Sequence, residues 1–238
     1  LEKDTCGRLD LNESDKLRRI LSGKKAVVFD FDNIIVDSEP FHFEAYSRVF
    51  ARAGHTLDRE EYWLEWTSRG GGAKGEIERH GLDLVPAEIQ KQKDPIYSRF
   101  CGSGEIRLFP SAAAIIKILR DAGFTLAVAS GSYEHDIRTI LSANGIESHF
   151  EAVVGKDGIE KTKPHPETYL KACSKLGIAP AHCLAVEDAE KGVRSARDAG
   201  MSVIVIETPI TRGLGIEGAD IVLSGLERFL RILEKIYD

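Results

Sequence analysis

The chain of 238 residues has no apolar run that approaches membrane-spanning length, and no basic-then-apolar secretory segment opens it. It has no surplus of positive charge either: 32 Lys and Arg stand against 38 Asp and Glu, a formal net charge of −6. Nucleic acid and anionic membranes both require a basic surface, so neither is expected as a partner, although a local basic pocket for a phosphate is not excluded. Cysteine is sparse. Cys6, Cys101, Cys173 and Cys183 follow no paired metal or redox spacing, which leaves reduced thiols in a cytoplasmic protein, with Cys173 and Cys183 half-buried. Internal repeats and low-complexity tracts are also lacking. What is present is ordinary for a soluble globular protein, 42% hydrophobic and 29% charged, in a chain long enough for one large domain or a domain with an insert.

The most informative stretch is Lys24-Lys25-Ala26-Val27-Val28-Phe29-Asp30-Phe31-Asp32. A β-branched apolar run with the flanks of a buried parallel strand ends in two carboxylates spaced i, i+2. On a continuing strand those side chains share a face, so both carboxylates converge at the C-terminal end, where open α/β sheets bind their ligands. Two such charges call for a cation, a shared proton or a charged substrate.

From Phe109-Pro110 onward, helices and short apolar strands alternate: helix 112–122 with Ser111 as its N-cap and Gly123 ending it, strand 124–129, helix 133–143, strand 150–154, helix 166–176, strand 182–187, helix 190–199, strands 202–207 and 220–223, and a last amphipathic helix 225–236. Alternation of this kind predicts an α/β fold, a doubly wound parallel sheet covered on both faces. Between Ser38 and Glu105 the pattern is helical only, with pieces at Glu39–Arg52, Glu60–Trp66, Gly75–His80 and Pro86–Phe100. The expected organisation is therefore an N-terminal extension over 1–22, an α/β core from 23–37 and 106–238, and an all-helical cap over 38–105. The extension carries an amphipathic piece, Glu13–Leu21, that Asn12 or Ser14 would cap.

Three further segments bear on function. Phe124–Ala129 ends in Ser130-Gly131-Ser132. Lys161-Thr162-Lys163-Pro164-His165-Pro166 precedes a helix. Cys183-Leu184-Ala185-Val186 runs into Glu187-Asp188, then Ala189-Glu190-Lys191-Gly192. Strand–Asp, strand–Ser, Lys-Pro and strand–Asp, in that order, resemble the four motifs of the haloacid dehalogenase (HAD) superfamily. The Val-Asp-Ser-Glu-Pro tail of the first motif, and the run from Glu187 to Met201, resemble its β-phosphoglucomutase-like phosphatase branch. The likeness spans residues 24–225 and implies a Rossmann-like core with a helical cap.

The resemblance implies a Mg²⁺-dependent phosphatase working through an aspartyl-phosphate on a small phosphorylated metabolite, a sugar or polyol phosphate or a phosphoglycolate-like compound. Asp30 would be nucleophile and metal ligand, Asp188 a second ligand, Asp32 a ligand through its backbone carbonyl, and Glu187 a ligand directly or through water. Read alone, Glu187-Asp188 serves equally as a helix N-cap. Asp32 would act as general acid and base. Ser130 and Gly131 would hold the phosphoryl group with the help of backbone N–H groups, and Lys163 would neutralise nucleophile and phosphate together. Ser132 reads as an N-cap and Lys161 as an exposed neighbour. His42 would lie near the leaving group, or else on a helix surface. Arg69 and Lys74, in the glycine-rich stretch Trp66–Gly75, would meet the rest of an anionic substrate, or else stand in a flexible turn. A monomer or weak homodimer is expected.

Two departures from the family pattern stand out. Asn33 replaces the glycine that usually follows the second aspartate; Asn tolerates positive φ, so the turn can survive. Tyr133-Glu134 stands where mutases hold a distal phosphate, and an anionic Glu134 would repel one. Simple hydrolysis of a monophosphate is therefore expected over the alternatives, a phosphosugar isomerase or a binding protein on the same fold.

Overall fold

The computed structural model describes residues 6–68, 71–209 and 211–237. Six parallel strands form one sheet: β1 (Ala26–Phe29), β2 (Thr125–Ala129), β3 (Ala152–Val154), β4 (Cys183–Glu187), β5 (Ser202–Ile206) and β6 (Ile221–Leu223), in the order β3-β2-β1-β4-β5-β6. The register places Val27 opposite Leu126 and Leu184, and Val28 opposite Ala127 and Ala185. Because side chains alternate along a strand, this lines large residues on one face and small ones on the other. The large face (Val27, Phe29, Leu126, Val128, Leu184, Val186) is covered by α1 (Cys6–Leu21), α6 (Pro110–Asp121), α7 (Glu134–Ala143) and α10 (Leu226–Tyr237). The small face (Val28, Ala127, Ala129, Ala185) lets α8 (Glu167–Leu176) and α9 (Glu190–Asp198) approach through Tyr169, Ala172, Val193 and Ala196.

Several boundaries differ from the sequence expectation for physical reasons. α1 starts at Cys6, so Asn12 and Ser14 lie within the helix rather than capping it; Leu17 and Leu21 anchor it in the core. Pro110 opens α6 with Phe109 at the N-cap position, and Ser111 is helical. Proline fits the first helical position because its missing N–H would have no partner there. Gly123, at φ +88°, ends that helix as expected. Cys173 and Cys183 are fully buried, not half-buried.

All elements between β1 and α6 are helical: α2 (Glu39–Arg52), α3 (Arg59–Glu61), a π-helical stretch over Tyr62–Ser68, α4 (Gly72–His80) and α5 (Pro86–Ser103). The Asp58 side chain caps α3 by accepting from the Glu61 N–H at 2.8 Å. Tyr62 and Trp66 join an aromatic cluster with Phe43, Tyr46 and Phe50, at centroid distances of 4.6–5.9 Å. α5 returns along α2 and touches the core at α7, where Ser98 Oγ donates to Asp136 at 3.1 Å. Among the described residues no helix is long and apolar enough to cross a membrane.

Candidate active site

Strand order reverses between β1 and β4, and the crevice beyond their C-terminal ends is where sheets of this topology receive ligands. Asp30 leaves β1 there, its N–H still donating to Val186 O at 2.9 Å, and Glu187-Asp188 leaves β4 beside it. Between them stands Lys163, from the loop before α8. Its Nζ donates to Asp30 Oδ1 at 2.7 Å, to Glu187 Oε1 at 2.6 Å and to Ala129 O at 2.9 Å. Tyr169 donates its hydroxyl to the same Glu187 oxygen at 2.5 Å, and the Asp188 N–H reaches the other at 3.3 Å. A Cβ on Gly192 would run into that carboxylate, which explains glycine in the first turn of α9. Glu187 is thus engaged at both oxygens.

The electrostatics follow from this crowding. Burial raises the Asp30 carboxyl to about 7; Lys163 opposes the rise, and Glu187 and Asp32 add to it. Burial also lifts Asp188 well above the ordinary range, reinforced by Asp30 and Glu187. For Lys163 burial works against the charge, but Asp30 and Glu187 outweigh it and hold the ammonium above its usual value. Asp30, Glu187 and Asp188 each bring a carboxylate oxygen within 4.8 Å of the others. Two buried carboxylates and a partly buried third around one ammonium are short of positive charge, and an oxygen-only donor set suits a hard dication such as Mg²⁺. The N-cap alternative for Glu187-Asp188 is overturned: Ala189 occupies that position of α9, and no side chain caps it.

Asp32 sits in a different environment. Oδ1 accepts from Ser38 Oγ at 2.5 Å and faces His42 Nε2 at 3.4 Å, while Oδ2 accepts from Ser132 Oγ at 3.0 Å and Ser130 Oγ at 3.3 Å. Burial pushes its carboxyl up, but His42, Ser38 and Ser132 together hold it below the usual carboxylate range. Asn33 then turns the chain at φ +62°, the one positive φ on a non-glycine among the described residues, and its N–H donates to Val36 O at 3.0 Å. The glycine turn survives with asparagine in it.

His42 is not a surface residue. Its ring stacks on Tyr97 with centroids 3.8 Å apart, and Lys93 Nζ donates to Nδ1 at 2.8 Å. Lys93 is itself buried, with Nζ 4.1 Å from the Tyr97 ring centre, and burial lowers its pKa to about 8. Sequence reasoning missed Ser38, Lys93 and the role of Ser132. Ser38 stood in the quoted Asp-Ser-Glu-Pro tail. Ser132 was assigned to capping, but Tyr133 holds the N-cap position of α7, without a side-chain bond, and Ser132 turns to Asp32. Lys93 lies mid-helix in α5 and carries no local signal.

Asp30, Asp32, His42, Lys93, Ser132, Lys163, Glu187 and Asp188 line a cavity of about 470 Å³ together with exposed Gly131 and an aromatic wall of Tyr46, Tyr62, Trp66 and Tyr133, while Ser38 and Ser130 lie buried behind Asp32. Lys74 does not line it. On α4 it is 75% exposed and pairs with Glu78 one turn on at 3.7 Å, which corrects the expectation that it faces substrate. Arg69 lies outside the described residues. Glu134 does not line the cavity either, so it does not repel a distal phosphate there. Its carboxylate pairs with Arg138 at 2.8 Å and Lys175 at 3.3 Å, away from the cavity. Lys156 stands 3.8 Å over the Tyr133 ring instead, 3.4 Å from Asp94.

The model of the haloacid dehalogenase-like hydrolases matches residues 24–200, and the chain belongs to that family. It is similar to protein CbbY of Rhodobacter capsulatus, 31% identical over 82% of this chain and 91% of the relative. It is also similar to the fructose-1-phosphate phosphatase YqaB of Escherichia coli, 28% identical over 75% of this chain and 94% of that protein. Among solved structures, a mutant of CbbY from Rhodobacter sphaeroides in complex with xylulose-(1,5)bisphosphate superposes with a TM-score of 0.73 at 29% identity, covering 85% of this chain and 95% of the other. The chain is thus a hydrolase with the Rossmann-like HAD fold, and its relatives include proteins named as phosphatases.

Proposed function

We propose that this chain is a Mg²⁺-dependent phosphomonoester hydrolase that works through an aspartyl-phosphate on Asp30. The observation that carries the reading is the opposed environment of two carboxylates two residues apart: Asp30 crowded by acids and bridged by Lys163, Asp32 caged by hydroxyls and His42. Pairs of acids whose surroundings push their pKa values apart mark a division of labour. Asp30 and Asp188, with the Asp32 carbonyl, would hold the metal, and Glu187 would orient Lys163 beside them. When bound, Mg²⁺ supplies positive charge that lets a carboxylate meet a phosphate dianion.

Asp30 attacks phosphorus and forms a phosphoaspartate while the ester oxygen departs. Lys163 neutralises charge on the transferring group, and Ser130 with the Gly131 backbone orients it. Asp32 delivers a proton to the leaving oxygen, with the Ser38 and Ser132 hydroxyls free to rotate and accept from its protonated form. Ionised again, which its surroundings favour, it draws the proton from the water that attacks the phosphoaspartate. His42, steadied by Lys93 and Tyr97, fixes the Asp32 carboxylate from behind.

The helical insert 38–105 acts as a cap over this chemistry and selects substrate. Its aromatic wall suits a sugar face, and Lys93 and Lys156 leave room for a second anionic group. A small sugar phosphate fits, and the bisphosphate bound by the related CbbY indicates that a second phosphate can be accommodated in such a site. A panel of sugar mono- and bisphosphates assayed for phosphate release tests the reading. Turnover should require added Mg²⁺ after EDTA treatment, and Asp30→Asn should form no phosphoenzyme. Undiminished phosphate release by Asp30→Asn would refute it.

A further inference from the structure

A second cluster of ligating side chains lies within the insert. His55 follows α2, while Glu76 and His80 stand four apart on one face of α4; their ligand atoms lie within 4.8 Å of one another. Glu76 is buried, with 2% of its surface exposed. Its two oxygens have separate surroundings. Oε2 is fixed by Trp66 Nε1 at 3.1 Å and by the Arg79 guanidinium at 2.5 Å, whereas Oε1 faces His55 Nε2 at 2.7 Å and His80 Nε2 at 3.5 Å. Glu61 approaches the same His80 nitrogen at 3.0 Å.

From this geometry we infer that His55, Glu76 and His80 form a binding site for a divalent transition-metal ion of the zinc type, with the fourth position left to solvent. Tetrahedral zinc with bonds of about 2.0–2.1 Å holds its donors about 3.4 Å apart; Glu76 Oε1 and His80 Nε2 stand at 3.5 Å, and His55 Nε2, now 2.7 Å from the same oxygen, would move outward by less than ~1 Å. Two carboxylates and one guanidinium leave a local charge of −1 when the imidazoles are neutral, as ligands must be, so a dication is electrostatically welcome. The Trp66 and Arg79 bonds orient Glu76 as outer-shell partners orient metal ligands elsewhere. His80, 37% exposed, opens the site to solvent. Imidazole donors select zinc, nickel or cobalt over magnesium, which separates this site chemically from the oxygen cluster at Asp30. The same Glu76 bonds Trp66, a wall residue of the active-site cavity, so an ion here would brace that wall from outside.

The test uses the full metal-free chain in millimolar Mg²⁺, so that the oxygen site is occupied by the hard ion. Zinc is titrated against a chromogenic chelator, and thermal melting and tryptophan fluorescence are recorded alongside. The expected result is one equivalent of tightly held zinc, a rise in Tm and a change in emission. Zinc affinity should fall at least 10-fold in His80→Ala, and should be unchanged in Asp188→Asn. Cobalt on the wild-type chain gives a readout independent of any variant's folding: intense tetrahedral d–d absorption is expected. Zinc held equally well by a folded His80→Ala, zinc lost in Asp188→Asn, or a weak six-coordinate cobalt spectrum would each overturn the site and leave the cluster a hydrogen-bond network only.

Discussion

Removing the Asp30 charge should stabilise the metal-free protein. Its carboxyl is raised from 3.8 to about 7, chiefly by burial, with Glu187 and Asp32 adding to the effect and Lys163 opposing it. A carboxyl with a raised pKa keeps its proton in the folded state where the unfolded chain has already lost it. Stability therefore falls as pH climbs through roughly 4 to 7, and the whole cost is present above that window. A difference near three pH units at about 1.4 kcal/mol each sets an upper figure of ~4 kcal/mol. Asn has the same shape, and in Asp30→Asn the Lys163 ammonium keeps Glu187 at 2.6 Å and Ala129 O at 2.9 Å. With part of the gain lost through the weakened Lys163 contact, about 2–4 kcal/mol should remain. For a chain of this size that is a Tm increase of roughly 5–15 °C. Melting curves of EDTA-treated wild type and variant at pH 8 read it directly, and the gap should close as pH is lowered toward 4. Millimolar Mg²⁺ should raise the wild-type Tm and move the variant far less. No stabilisation at pH 8, or the same gain at both ends of the window, would show that the carboxylate crowding is not an energetic fact.

Asp32→Asn should lower turnover by about 10²–10⁴ while keeping the Mg²⁺-induced Tm shift, since the substitution removes a proton carrier and leaves the backbone carbonyl in place; kinetics and melting on one preparation separate the two. Lys93, with its pKa lowered to about 8 by burial, is charged below that pH and then donates to His42 Nδ1, which leaves the Nε2 proton for Asp32. The pH–rate profile should therefore fall off above about pH 8, and Lys93→Met should lack that limb; an identical limb in the variant would assign it elsewhere. Asn33→Ala should cost about 1 kcal/mol in urea unfolding because alanine resists the +62° φ held there, whereas Asn33→Gly should be neutral or mildly stabilising.

What could be read from the sequence, and what could not, divides by the range of the interactions involved. Asp30, Lys163 and Glu187-Asp188 each follow or precede a strongly patterned element, so strand ends fixed by β-branched runs carried them to one crevice, and the structure indeed joins them through Lys163. The surroundings of Asp32 were less legible because part of them comes from segments far along the chain. Ser132 lies 100 residues from Asp32, and Lys93 reaches His42 across 51. Local rules gave Ser132 a cap because serine before a helix commonly is one. That rule lost to a buried carboxylate, for which a further hydroxyl donor is worth more than an exposed cap: an ionised group taken from water must recover its hydrogen bonds inside the protein.

The same competition explains Glu134 and Lys74. Each was judged by its charge and its place along the chain, and each found a partner one turn away on its own helix: Arg138 for the first, Glu78 for the second. A pair at i, i+4 forms without any tertiary closure, so a charged helix residue with an opposite charge at that spacing is a poor candidate for a ligand contact. His42 and Lys93 meet the opposite condition. Each rests against an aromatic face inside the cavity, Lys93 is drawn toward neutrality by burial, and neither is paired along its own helix. The carboxylates that favour the Lys93 charge are Asp94 beside it and Asp32 and Glu39 on the same cavity, and the His42 imidazole that faces Asp32 accepts its hydrogen bond.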